Sequence, residues 1–228
     1  MSVYMTEEEQ LQAIKKWWLC YNTPILVLLS LIMLSVAGYR YWSWHNEKTL
    51  IQASTVYERL MVSFSEHKNK EVRSYANQLI NNYDQTVYAD VARMTLAKIE
   101  VAKDQDEKAK QLLNEVVNHT TVPAFKQIAK IRIARLLVAQ KSFDQALNQL
   151  SVIDDSAYMT IVNELKGDIF VEKGDYQQAI KLYKQAISEA KTHGIGNLFL
   201  EMKTNELAQL TQSKNVLRQN TGDRKSVV

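Results

Sequence analysis

The sequence predicts an all-α protein: one N-terminal helix able to cross a membrane, followed by a right-handed solenoid of paired helices. Three observations predict it. An uncharged apolar run, Ile25 to Tyr39 (ILVLLSLIMLSVAGY), is bracketed by aromatic clusters. Only 6 Gly and 2 Pro occur in 228 residues, few for a β-rich fold with many tight turns. Beyond the apolar run, small and aromatic side chains recur with a period of roughly 34 residues, the mark of stacked helical hairpins.

The first element is a polar segment, residues 1–16, where Leu11, Ala13 and Ile14 keep helical spacing ahead of Lys15 and Lys16. The membrane helix is placed at 17–44. Its apolar run alone is about 15 residues, short of the roughly 20 a bilayer needs. The flanks extend it: Trp17, Trp18 and Tyr21 precede it, and Tyr39, Tyr41, Trp42 and Trp44 follow. These are all four tryptophans of the chain. Indole rings settle at the membrane–water boundary, apolar edge inward and N–H toward water. Arg40 sits at the far end, where its stem carries the charge out to the headgroups. Pro24 is expected near the helix start, where a proline costs least. A cleaved signal peptide is the competing reading, since Ser35-Val36-Ala37 offers small residues for cleavage. A long n-region carrying Glu7, Glu8 and Glu9, and bulky aromatics after the cut, speak for an uncleaved anchor.

The helical repeat domain is placed at 45–212. From Glu47 to Phe64, positions Leu50, Ile51, Ser54, Tyr57, Leu60, Met61 and Phe64 recur at three and four residues, an amphipathic helix. A second helix, Lys70 to Tyr83, carries Val72, Tyr75, Ala76, Leu79 and Ile80 on one face. The clearest repeat starts at Val162, with Gly167, Phe170, Gly174, Tyr176, Ala179, Tyr183 and Ala186 in the tetratricopeptide pattern. Gly167 and Ala179 are expected where paired helices touch. Gly174-Asp175 is expected to turn, and Phe170, Tyr176 and Tyr183 to fill the gap toward the next repeat. Ala134, Leu137, Phe143, Ala146, Leu150 and Ile153 form a weaker copy upstream. Ala97, Ala109, Leu113 and Val116 form a looser one, turning at Asp104-Gln105-Asp106. A capping helix, Asn197 to Leu210, follows Gly194-Ile195-Gly196. The charged tail 213–228 is expected to be disordered.

Composition excludes more than it assigns. Net charge is +3, with no clustered basic face of the kind nucleic acid requires. Cys20 is the one cysteine and lies at the membrane edge, so the repeat domain can hold neither disulfide nor thiolate site. His45, His67, His119 and His193 stand at no metal-ligand spacing. No phosphate loop or nucleophile elbow appears. No catalytic residue, metal or cofactor is expected. Lys15 and Lys16 on one flank oppose Arg40, Lys48 and Arg59 on the other, so charge does not orient the span.

What such a stack offers is a surface lined by the first helix of each pair. Projection gives Val91, Met94, Lys98 and Val101; then Ile128, Ile131, Arg135 and Val138; then Ile161, Glu164, Asp168 and Val171. Two occupants of this stripe stay open: the chain's own C-terminal helix, or a docked partner segment.

The chain resembles the YfgM-type ancillary subunit family of the SecYEG translocon. The likeness rests on Glu9-Gln10, Ala13, Lys15 and Trp17-Trp18; on Gly38-Tyr39-Arg40-Tyr41-Trp42; and on Leu165-Lys166-Gly167-Asp168 with Lys173-Gly174-Asp175. It runs from residue 9 to about 210 and leaves the tail outside. The resemblance implies a single-pass protein of the bacterial inner membrane, N-terminus cytoplasmic and repeats periplasmic. It implies two partners, the SecYEG translocon and a membrane-anchored periplasmic chaperone of the prolyl-isomerase type. The implied role is support for translocated chains, without catalysis. An alternative from a different class is an anchor that sequesters a cytoplasmic signalling protein through Thr6 to Trp18.

Overall fold

The computed structural model describes residues 7–192, 194 and 196–223; side chains are described from Leu11 to Gln212, save those of Ala13, Cys20, Ile25, His193 and Ile195. Every element among them is helical: α1 Glu7–Ser65, α2 Asn69–Asn82, α3 Val87–Val101, α4 Asp106–His119, α5 Pro123–Ala139, α6 Phe143–Ser151, a 3-10 turn Ser156–Tyr158, α7 Met159–Glu172, α8 Tyr176–Thr192 and α9 Leu198–Asp223. The chain divides into two compact units, one up to Thr55 and one from Val56.

The first unit is a stretch of α1. From Glu7 on, the polar segment, the apolar run and the start of the amphipathic helix form one uninterrupted helix. Pro24 therefore lies in a helix interior and not near a start. No Gly or Pro stands between Glu7 and Thr23 to delay the helix. The segment is long and apolar enough to cross a membrane, with an 18-residue window of mean hydropathy 1.7 and none of it buried. Leu26, Leu28, Leu31, Ile32, Leu34 and Val36 are all exposed. An apolar surface this continuous is unfavourable in water and natural in lipid.

The second unit is a stack of hairpins joined by one kind of turn. His67, Asp104, Lys141 and Gly174 each adopt positive φ, at 58°, 56°, 57° and 78°. Each stands just after a helix, and the residue that follows donates its N–H back five positions. Lys68 bonds Ser63 O at 2.9 Å, Gln105 bonds Glu100 O at 2.9 Å, Ser142 bonds Leu137 O at 2.8 Å and Asp175 bonds Phe170 O at 2.9 Å. This closure satisfies carbonyls that a helix end leaves unpaired. The turn expected at Gly174-Asp175 is thus present four times, and it makes the α1–α2 pair a true member of the series.

Inside a hairpin, small residues set the distance. Gly167 of α7 lies beneath the fully buried ring of Tyr183 on α8; a Cβ there would fall 2.6 Å from ring Cδ1. Tyr183 therefore seats on its own pair through Gly167 and also fills the gap toward the next element, against Leu200 and Leu207 of α9. It fits because glycine removes the side chain beneath it. From α3 to α7 one apolar core is continuous, with Leu113, Val116, Ala134, Leu137, Leu150, Val162 and Ile169 among its members. Ala179, Tyr183, Ala186, Leu200 and Leu207 form a second cluster that seats α9 on α8.

Charges tie successive elements. Arg93 on α3 is buried and bonds Glu115 of α4 at 3.0 Å, Asp84 before α3, and faces Asp90 at 3.6 Å. Burial works against its charge, but the hydrogen bonds it donates to Asp84 and Glu115 outweigh it and raise its pKa. Arg73 of α2 meets the buried Glu100 of α3 at 2.5 Å.

Helix α9 starts where expected, with Leu200 N–H donating to Asn197 Oδ1 at 3.0 Å. It runs on through Asp223, past the expected end at Leu210, because no Gly or Pro intervenes before Gly222. Residues 224–228 of the expected disordered tail lie outside the described residues.

Two substitutions test the turn. Lys141→Gly should raise stability by about 1 kcal/mol, since a non-glycine residue in the left-handed region pays a steric penalty of that order. Gly174→Ala should lower it by about the same amount. Gly167→Ala should destabilise more, by roughly 1–3 kcal/mol, because the ring of Tyr183 must move. Urea midpoints of the full chain in detergent, followed by circular dichroism at 222 nm, read all three; equal midpoints would remove this account of the turn.

Candidate functional site

The solenoid has an open face where the first helices of successive pairs lie side by side. Two cavities open on it. The first, about 410 Å³, is lined by Met94, Ala97, Lys98 and Val101 of α3, Leu113 of α4, and Arg132, Arg135 and Leu136 of α5. The second, about 470 Å³, is lined by Val138 and Ala139 of α5, Lys141, Asp168, Val171 and Glu172 of α7, Tyr183 of α8 and Lys203 of α9.

The projected positions separate accordingly. Met94, Lys98, Val101 and Arg135 come together at the first cavity, and Val138, Asp168 and Val171 at the second. Val91, Ile128 and Ile161 are half-buried and pack against the core, and Ile131 belongs to it. Glu164 is half-buried and lines neither cavity. Val91, Ile128 and Ile161 lie in the N-terminal halves of their helices and Ile131 at the midpoint of α5, so the open face widens toward the C-terminal halves.

Sequence reasoning missed Arg132, Lys141, Tyr183 and Lys203. Arg132 was within reach: it stands three residues before Arg135, on the adjoining edge of the same helix face. Lys203 gave no signal, because it comes from another helix and is brought in by the packing of α9.

The two cavities differ in charge. At the first, Lys98, Arg132 and Arg135 are exposed at the rim, and among the described residues none pairs with a carboxylate. Among the described residues, Arg132 donates to Met94 O, at 3.3 Å. Its pKa is lowered, by burial first and then by the positive charge of Arg135. Lys98 also lies over the ring of Phe64, 5.1 Å from its centroid. At the second cavity one of the two acids, Asp168, is already answered. Asp168 Oδ1 accepts the Tyr183 hydroxyl at 2.6 Å and an ion pair from Lys203. Lys203 also sits 5.0 Å from the Tyr183 ring centroid. Burial, then the bond to Asp168, push the Tyr183 phenol above the ordinary tyrosine range.

Helix α9 reaches the open face through Lys203 at the second cavity. The first cavity is walled by α3, α4 and α5.

On α1, Trp17, Trp18, Tyr39, Arg40, Tyr41, Trp42 and Trp44 are exposed. Trp17 rests on Tyr21 with ring centroids 5.6 Å apart, and Tyr39 lies 6.4 Å from Trp42. Lys48 sits over Trp44 at 3.7 Å. His45, His67 and His119 are exposed, and His193 falls outside the described residues.

Residues 15–209 match a family described as a tetratricopeptide repeat-like domain. Curated relatives include an ancillary SecYEG translocon subunit of Aggregatibacter actinomycetemcomitans, 29% identical over 190 residues, covering 83% of this chain and 93% of the relative. The protein of that name from Escherichia coli (strain K12) is 27% identical over 208 residues, covering 91% of this chain and 100% of the relative. That from Haemophilus influenzae is 26% identical over 186 residues, covering 82% and 91%.

The phenol of Tyr183 gives a pH test. Its folded pKa is raised, so the stability it confers is intact below the unfolded value of about 10 and is lost as pH rises beyond it. Urea midpoints should therefore fall above pH 10, and fall less steeply in Tyr183→Phe. Parallel slopes would mean that the phenol is not held as described.

Proposed function

Since the chain belongs to the tetratricopeptide repeat-like domain family, with ancillary SecYEG translocon subunits among its curated relatives, we propose that it is a membrane-anchored adaptor of the Sec translocon. The apolar part of α1 anchors it in the bacterial inner membrane. Its N-terminus is cytoplasmic and its repeats face the periplasm. There the open face holds polypeptide, either translocated chains or a membrane-anchored chaperone of the prolyl-isomerase type. The anchor's aromatic and arginine residues, Trp17 to Trp18 and Tyr39 to Trp44, sit at the two interfaces.

The observation that carries this reading is the extent of the match. It starts at residue 15, before the candidate span, and ends at residue 209, inside the last helix. Anchor and repeats are thus matched as one unit, in relatives named for a place in a membrane assembly. The family is one of adaptors, and no enzymatic activity is assigned. A solenoid surface also fits the role, because stacked hairpins present an extended face and each pair needs only its neighbours for stability.

Photo-crosslinking tests it. A crosslinkable residue placed at Met94, Arg135 or Val138 of the full chain, in intact membranes, should yield adducts with a translocon subunit or a periplasmic chaperone. The same residue at exposed Gln111 or Lys184, on the second helices of their pairs, should yield at least about fivefold less of either, a difference near 1 kcal/mol. Equal yields at both sets of positions, or a C-terminal reporter found in the cytoplasm, would overturn the proposal.

A further inference from the structure

Helix α9 closes the stack with one side and leaves another bare. Leu200, Thr204 and Leu207 are buried, and Lys203 reaches Asp168. Elsewhere on the helix, Leu198, Phe199, Met202 and Leu210 are exposed by 69%, 64%, 55% and 52%. The terminal element of a helical stack needs a polar outer face to stay soluble, and this one is apolar. Among the described residues after α1, the other exposed large apolar side chains are three valines that stand apart, Val87, Val101 and Val152. On α9 they are aligned. Phe199, Met202, Glu206 and Leu210 recur at three and four residues, one stripe along the helix. The sequence continues it with Leu217.

We propose that this stripe is a self-association surface, on which α9 of a second copy of the chain packs antiparallel. Charge selects the occupant. When two copies cross at Leu210, Glu206 of each comes level with Lys214 of the other, since the two stand four residues to either side of the crossing. Two-fold symmetry makes this pairing twice. The same crossing brings Leu217 about level with Met202. A parallel arrangement would set Glu206 on Glu206 and is disfavoured. The helix has 26 residues and is about 39 Å long, so one face of it lies at the small end of interfaces, for which roughly 800 Å² per partner is standard. Copies anchored in one bilayer meet at a raised effective concentration, which offsets the small area. That step rests on the anchored reading given above.

The test uses the full chain in intact membranes, with Cys20→Ala and one new cysteine, Leu210→Cys. Mild oxidation should join two copies through position 210, seen as a dimer on non-reducing gels. Lys184→Cys, exposed on α8, should give at least about fivefold less dimer. Glu206→Lys and Lys214→Glu should each cut the yield at position 210 about threefold, the scale of an exposed ion pair made twice. The two exchanges together should restore it. Phe199→Ser with Met202→Ser should cut it about tenfold and leave thermal melts unaltered, because both side chains are exposed. Equal dimer at positions 210 and 184, no recovery in the double exchange, or capture of position 210 mainly by a different membrane protein would each overturn the proposal. Recovery of the chain among soluble proteins would fail the anchored reading, whereas a membrane-bound chain without self-adducts fails this one alone.

Discussion

A helical hairpin has apolar residues on more than one side and can cover only part of them with its own two helices. The rest must be covered by the next hairpin, and this constraint shapes the whole repeat unit. It explains why the core runs unbroken from α3 to α7, as one cluster with no separate centres. It explains the last helix as well: α8 would expose Ala179, Tyr183 and Ala186 if Leu200 and Leu207 of α9 did not lie against them. It also leaves one side of the stack uncovered. First helices lie beside first helices, and the space between them is filled only as far as their side chains reach. The cavities at Met94 and at Val171 are what remains.

Stacking fixes distances between hairpins; the turn fixes the geometry within one. All four turns place a residue in the left-handed region and close the same five-back hydrogen bond. Only one of the four uses glycine, although glycine adopts that conformation with least strain. Asp104, Lys141 and His67 hold it at a steric penalty, which the closure and the packing on either side outweigh. The turn is therefore imposed by the stack as much as by its own residues.

That division decides what could be read in advance. The repeat at α7 and α8 was legible because Gly167, Gly174 and Ala179 are chemically singular: nothing else fits under a tyrosine ring or turns so freely. The pair α1 and α2 was far less legible, since its turn at His67 carries no glycine and its geometry comes from context. Pro24 misled for a related reason. A proline suggests a helix start, but the helix-forming residues upstream overrule it. Of the projected stripe, Met94, Lys98, Val101 and Arg135 line one cavity, while Val91, Ile128, Ile131 and Ile161 pack into or against the core. Helical projection gives the face a residue occupies, and it does not give how far along the helix a neighbour covers that face.

The sign of the open face shows the same limit in electrostatic form. Along the sequence the stripe holds basic residues at Lys98 and Arg135 and acidic ones at Glu164 and Asp168, which suggests a surface of mixed charge. Folding changes the balance. Lys203, more than thirty positions from Asp168, arrives with α9 and joins the Tyr183 hydroxyl on that carboxylate. Arg132 meanwhile joins Lys98 and Arg135 at the first cavity, where no carboxylate of the described residues answers them. An acid is neutralised at one end of the face while cations gather at the other. The face therefore becomes basic through a tertiary contact. A helix whose evident task is to cap the stack also sets the charge that a visiting chain would meet.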